Sequence, residues 1–536
     1  MPRTILRICC ALIASAVMIG SPLAADLTVG LSSPITSLDP HFHNLTPNNQ
    51  IARHVFETLI KQDDKQTTLL PGLAESWKPL SDTEWEIRLR KGVKFHNGQD
   101  FTADDVIATF KRVPNVPNSP ASFASFVRPI VDIQTPDKYT LRMKTDKPHP
   151  LLPYDMVSVA ILAKSVADGA KTEEFNSGKA MIGTGPFRYA EYVAGDRVVL
   201  KRNDQYWGPK PAWDNVRFRM ITSAPARVAA LLAGDVQMIE GVPTADIAQL
   251  KNDKRVTLSS AVSNRIIYLH LDSNREKNSP FVTTVDGKPL EANPLRDPRV
   301  RQAISKMIDR DAIVSRIMET QAVPAGQLLP EQFFGTSKTL KPDKYDPAAA
   351  KRLLAEAGYP NGFGLTLHAP NNRYINDAAV AQAVAQFLSR GGIPTKLETM
   401  PSNVFFSRGS KLEFSFLLAG WGAESGEASS PLRSLLATFD AKQGMGAANR
   451  GRFSDPGVDA LLTQAITTID DTKRGIMLAR ATEKAVGELM GIVPLHYEVS
   501  TWATRQGIVY KARADQYTLA YDVRPGDGSA MAAGKK

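Results

Sequence analysis

Cysteine is almost absent from this chain: of 536 residues only Cys9 and Cys10 carry a thiol, and both precede everything that reads as folded protein. The body of the chain therefore has no disulfide framework, no thiol nucleophile and no cysteine metal site. Long apolar runs are missing too. The longest spans residues 8–19, and nothing approaches the ~18 consecutive apolar residues of a membrane helix. Nucleotide and catalytic signatures are lacking: there is no Walker loop, no G-x-S-x-G elbow, and no G-x-G-x-x-G opening a helix, since Gly444 and Gly446 are followed by Asn449 where a third glycine is required. Eight histidines are present, without a His-Glu-x-x-His pair or a carboxylate set at ligand spacing. His41 and His43, two apart, are the nearest approach to a metal or haem pair, and surface histidines are the commoner explanation of such a spacing. No catalytic residue, metal or cofactor is assigned. Carboxylates are plentiful but none is singled out, so a secreted hydrolase stands as the alternative to a protein that only binds.

What is present describes an exported globular protein. Arg3 and Arg7 precede the apolar run 8–19, and the small residues from Ser21 to Ala25 complete a secretory signal peptide, residues 1–25, cleaved near Ala24 or Ala25. Two arginines and only eight residues before Cys9 leave no room for a lipoprotein signal. With 43% hydrophobic and 22% charged residues the remainder is globular, and its length calls for two or three domains. The formal charge is +10, or +8 without Arg3 and Arg7. The basic residues are dispersed, with no basic run or aromatic-basic alternation, so no nucleic-acid partner is expected.

Periodicity shows alternating strands and helices. Trp85, Ile87 and Leu89 alternate with charged residues, as do Tyr139, Leu141 and Met143, and Val216, Phe218 and Met220, which is the period of half-buried strands. Thr102 with Asp105 predicts a capping-box start for a helix over 103–111. Asp297-Pro298, Asp346-Pro347 and Asp455-Pro456 each predict an N-cap followed by proline in the first turn. The polar stretch 272–293 is expected to carry the chain from one domain to the next.

One stretch carries functional chemistry. An apolar run, 414–419, has the length of a buried strand and stops at Gly420, Trp421 and Gly422, after which Glu424 and Glu427 stand among glycine and serine. A broad indole beside carboxylates, on a backbone left open by glycine, is the lip of a pocket for a cationic group.

Leu73-Ala74-Glu75-Ser76-Trp77 and the run from Leu89 through Phe95-His96-Asn97-Gly98 to Val106 resemble the signature of the family 5 extracellular solute-binding proteins, the peptide/nickel-type receptors of ATP-driven importers. The likeness continues in Gly183-Thr184-Gly185-Pro186-Phe187, Tyr206-Trp207-Gly208-Pro209, Asp297-Pro298-Arg299-Val300 and Pro494-Leu495-His496-Tyr497, and so spans most of the chain. The resemblance implies an α/β type II periplasmic binding protein with two lobes joined by a two-strand hinge. Lobe I would have its core in 26–60, 183–270 and 495–536 and an inserted α+β subdomain in 61–182; lobe II would be 271–494. It also implies a monomeric periplasmic receptor that hands its solute to the permease subunits of an ABC transporter in the inner membrane. The solute is expected to be a di- or oligopeptide, with glutathione, an opine, haem or a metal complex as alternatives. In such receptors an aspartate takes the peptide ammonium and an arginine its carboxylate; Glu424 and Arg373 stand at those places, Glu424 one methylene longer. Trp421 would wall the ligand, Tyr374 and Phe405 would line subsites, and Glu427 is the second candidate for the ammonium.

Overall fold

The computed structural model describes residues 25–423 and 425–526. The expected signal segment, except Ala25, and Glu424 lie outside the described residues. Among those described, no helix is long and apolar enough to cross a membrane.

Twelve strands form one continuous sheet that runs through both lobes. In lobe I, Asp26–Leu31 lies parallel to Asn215–Met220 and Met238–Ile239, with Arg197–Arg202 and Phe187–Val193 added antiparallel at the far edge. In lobe II, Gly364–Pro370 lies parallel to Thr395–Met400 and to Phe416–Gly422. Two long antiparallel strands, Val256–Leu271 and Ile492–Arg505, join the halves.

The register of these two strands locates the crossing. Residues 256–262 pair with 499–505 on the lobe I side, the ladder breaks between Val262 and Ile266, and from Arg265 onward the first strand also pairs with Phe416–Gly422 of lobe II. The chain thus leaves lobe I near 263–265 and re-enters near 497–499. The polar stretch 272–293 is not the crossing: it belongs to lobe II, where Val282–Thr283 pairs with Gly364 and Leu365. A polar loop has the composition of a linker, whereas the true crossing is buried β-structure and is hidden in an apolar run.

Between the first elements of lobe I and the rest stands a separate four-stranded antiparallel sheet, Ala74–Ser81, Glu84–Leu89, Thr140–Thr145 and Ile130–Asp137. Its alternating Trp85, Ile87 and Leu89 are buried and share one core with Val29, Leu31 and Trp502. The helix Ala103–Arg112 begins where Asp105 Oδ2 accepts the Thr102 N–H at 2.8 Å. In lobe II the three Asp-Pro starts each cap a helix, with Asp297, Asp346 and Asp455 accepting the N–H of Arg299, Ala349 and Val458. Two hydrophobic clusters fill lobe II, one containing Ile304, Val384 and Leu367, the other Tyr268, Phe405 and Leu435. Gly183 and Gly185 matter for close approach: a Cβ on Gly183 would stand 1.9 Å from the Val55 carbonyl oxygen and one on Gly185 2.6 Å from that of His54. That contact brings Thr184 to Glu57, and so ties the glycine turn to the wall of a cavity described below.

A candidate binding site between the lobes

Trp421 ends the strand Phe416–Gly422, opposite Ile266 of the crossing strand. The two glycines beside it are spaces. A Cβ on Gly420 would meet the Tyr374 ring at 2.8 Å, and one on Gly422 the Arg265 guanidinium at 3.1 Å. Two apart in the strand, the glycines face the same way, so Tyr374 and Arg265 pack on one face of the strand end and the Trp421 indole on the other. The indole rests against Leu329, Phe333 and Ala514, and its N–H is enclosed without a hydrogen-bond partner among the described residues.

Arg373 and Tyr374 are held by Asp377, whose Oδ2 accepts both backbone N–H groups at 2.8 and 3.1 Å. The Tyr374 hydroxyl donates to the Gly420 carbonyl at 3.2 Å, and burial raises its pKa. The Arg373 guanidinium is reachable by water, yet protein surrounds it closely enough that desolvation lowers its pKa, with the neighbouring Arg265 lowering it further. A charge both wetted and walled in lies in a cleft. Among the described residues it makes no hydrogen bond or salt bridge through its side chain, only a ring contact with Tyr374 at 5.4 Å. Arg265 has a side chain 12% exposed; it donates through Nε and Nη2 to the Gln516 amide oxygen and stands 3.5 Å from Glu498. Glu498 also accepts the Ile375 N–H at 3.0 Å.

Trp421, Tyr374 and Arg373 are therefore brought together at one strand end. Two other expected site residues are elsewhere. Phe405 is fully buried in a lobe II core, 5.7 Å from the stacked ring of Phe414, so it lines no subsite; it lies on the inner face of the helix Ser402–Ser410. Glu427 is buried and engaged by Arg474 and Ser429, with Arg474 further held by Asp471 at 2.9 Å and by the Phe334 ring at 4.3 Å. Its charge is neutralised within the protein, which leaves none for a ligand ammonium. Glu424, the first candidate for that role, lies outside the described residues; next to it, the Ser425 carbonyl accepts from Gln62 of lobe I at 2.8 Å. His41 is buried, with Nε2 2.8 Å from the Ala160 carbonyl and Nδ1 3.0 Å from Arg112, and among the described residues no group of three or more His, Asp or Glu side chains is placed to hold a metal.

On the lobe I side of this lip opens a cavity of about 610 Å³, within the size range of small-ligand sites. Its walls come from the end of the first helix, the hairpin over 57–70 and the segment 509–524. Five basic and five acidic side chains line it beside Phe56, Tyr206, Tyr517 and Tyr521. Most of these charges are already paired. Glu57 accepts from Lys61, Thr184, Tyr206 and Trp207 at 2.7–3.0 Å. Lys511 meets Asp64, and Arg513 forks onto Asp515 with Nε and Nη2.

Sequence reasoning missed Arg265, Glu498, Gln516 and this whole wall. The available signal was a charged residue inside an otherwise apolar β-run, at Arg265 and again at Glu498.

Residues 68–443 match the family model described as bacterial extracellular solute-binding proteins, family 5 Middle. The chain is similar to the dipeptide-binding protein of Escherichia coli strain K12, 28% identical over 445 residues that cover 78% of this chain and 79% of that one. It is similar also to the glutathione-binding protein GsiB of Pectobacterium atrosepticum, 29% identical with 88% of each chain covered. Among solved structures it resembles the ABC transporter-associated periplasmic binding protein DppA of Helicobacter pylori in complex with the peptide STSA, with a TM-score of 0.77, 24% identity, and 94% of this chain and 99% of that one covered. At that identity the likeness fixes the type II periplasmic binding fold.

Proposed function

Because the chain belongs to the family 5 bacterial extracellular solute-binding proteins, we propose that it is the periplasmic receptor of an ABC importer, binding a di- or oligopeptide between its lobes and performing no catalysis. The observation that carries the peptide reading is Arg373: an exposed guanidinium next to Tyr374 and the strand end at Gly420, with no side-chain hydrogen bond or salt bridge among the described residues. Such a cation is open to an incoming anion, and its planar fork suits a carboxylate. Trp421 contributes an apolar wall with a free N–H. Glu424 is assigned the ammonium on the resemblance alone. The relatives bear names for dipeptide and glutathione binding, both peptide chemistry.

Native mass spectrometry of the protein as purified tests this reading, with an added mass matching a short peptide as the expected result. A bound sugar, metal complex or haem would refute it, and so would a peptide mixture returned chemically altered at a catalytic rate. Calorimetry on Glu424→Gln checks the ammonium assignment: a loss of about two orders of magnitude in affinity is expected for a buried charge pair, ~3–5 kcal/mol at the upper end. A change under about fivefold would remove Glu424 from the site.

A further inference from the structure

We infer that Arg265 is a second ligand-binding cation, and that the anionic end of the solute bridges Arg265 and Arg373 at the point where the chain crosses between the lobes. This rests on the reading above, in which the cleft captures a solute with an anionic end.

Arg265 sits just past the break in the crossing ladder, opposite Gly422. A Cβ on residue 422 would stand 3.1 Å from its guanidinium, so the glycine after Trp421 leaves Arg265 room at the strand end, on the face that Tyr374 also packs against. An arginine kept for structure is expected to fork onto a carboxylate with two short bonds. Arg265 does not. Two of its N–H groups converge on a neutral amide oxygen, that of Gln516 at 3.1 and 3.2 Å, and Glu498 is 3.5 Å away from Nε. Nη1 has no hydrogen bond among the described residues.

Of the acids nearby, Glu498 makes only a loose ion pair with Arg265, Oε2 to Nε at 3.5 Å. Glu498 Oε1 accepts the Ile375 N–H, and its Oε2 is 3.5 Å from Gln516 Nε2. Asp377 spends Oδ2 on the N–H groups of Arg373 and Tyr374 and Oδ1 on that of Ala378. Arg265 keeps Nη1 uncommitted, and Arg373 makes no side-chain hydrogen bond or salt bridge among the described residues, so both guanidinium groups retain donors that a ligand carboxylate would accept from.

The placement also supplies a coupling. Arg265 and Glu498 belong to the two crossing strands, Arg373 to lobe II, and Gln516 to the segment that returns to lobe I. A carboxylate gripped by both arginines joins these segments at the hinge, so capturing the anion and holding the lobes closed become one event.

The test is calorimetry with L-alanyl-L-phenylalanine and its C-terminal amide on wild type, Arg265→Gln, Arg265→Lys and Arg373→Gln. Wild type is expected to prefer the free acid at least tenfold. Arg265→Gln should lose tenfold or more for the acid and under threefold for the amide, with Arg265→Lys in between because it keeps the charge and loses the fork. A merely structural arginine would weaken both ligands alike. Acid binding by Arg265→Gln within twofold of wild type overturns the inference, and so does an equal loss for acid and amide. If wild type binds neither probe, the peptide reading fails, and Arg265 is judged on the species that co-purifies: equal retention by wild type and Arg265→Lys, read by native mass spectrometry, overturns the assignment, and selective loss supports it.

Discussion

The two walls of the cleft differ in how far their polar groups are satisfied. On the lobe I side Glu57 holds four donors, Lys511 has Asp64 and Arg513 has Asp515, so that wall is complete without a ligand. On the lobe II side the Trp421 N–H is unpaired and Arg373 has no side-chain hydrogen bond or salt bridge among the described residues. The contrast extends inward. Buried His54 of lobe I uses both ring nitrogens, on Gln50 and Ala520, whereas His270 and His496, on the lobe II halves of the crossing strands, use neither. A buried unsatisfied polar group costs about 1–3 kcal/mol, and native proteins keep few. Among the described residues most of them lie in lobe II, with Trp85 Nε1 of lobe I the exception, so the polar interior of lobe I is the more fully satisfied of the two.

Acid should have the largest effect, and it reaches both lobes. Burial drives the imidazoles of His270 and His496 down to about 3 and about 4, from the 6.5 of an unfolded chain. Below pH 6.5 the unfolded chain binds protons that the folded one refuses, so stability is complete above that pH and falls as pH drops toward 4. By pH 5 the loss is about 2 kcal/mol per histidine, and His41, His54 and His96 of lobe I, each held at about 4, add in the same direction. Denaturant melts at pH 7 and pH 5 measure the total, and amide exchange at pH 5 should rise in the strands carrying 270 and 496 as well as in lobe I. Unchanged midpoints would contradict the cost assigned to these buried imidazoles.

Next in size is Glu427→Ala. It leaves Arg474 buried with only Asp471 for a partner and should destabilise the fold by roughly 3 kcal/mol, seen in a chemical melt. Peptide affinity of the folded fraction should move far less than in Arg373→Gln. That variant is expected to do the opposite, lowering affinity about tenfold to a hundredfold, ~1.5–3 kcal/mol, while the melt shifts by under ~0.5 kcal/mol. If Arg373→Gln destabilises and Glu427→Ala does not, the assignment of the two charges is reversed. Smallest is Trp421→Phe, which keeps an aromatic wall and removes an N–H idle in the free protein. Stability should hold, and affinity should fall by about twofold to tenfold, ~0.5–1.5 kcal/mol; an unchanged affinity would mean that the ligand leaves that N–H unused.

How much of this was legible depended on distance along the chain. The alternation at Trp85 to Leu89, the Asp-Pro caps and the glycine turn at 183–185 are local, and local signals carried the fold class. Trp421 stood out because glycines flank it, whereas Arg373 was assigned through the family resemblance. Glu427 was misread because its cation lies 47 residues downstream, where no spacing rule connects them. Phe405 was misread because one phenylalanine at a helix start does not reveal which face meets the core. The lobe I cavity was invisible for a similar reason: residues from 53–70, 157–158, 186–209 and 509–524 meet to form it. The crossing was misplaced because a buried strand that changes partners midway has no composition of its own.

The strand Ile492–Arg505 also dictates an order of assembly. It lies between Val256–Leu271 and Met238–Ile239, and Trp213 reaches beyond it to donate to the Val523 carbonyl at 2.9 Å. A chain emerging from its N-terminus first can pair most of lobe II before residue 490 is available, but the edge of Met238–Ile239 stays bare until 503 and 504 arrive. Bare edges template aggregation. The last forty or so described residues are therefore the closing piece of the first lobe to be synthesised, and a chain truncated before residue 500 leaves that lobe open along its central strand.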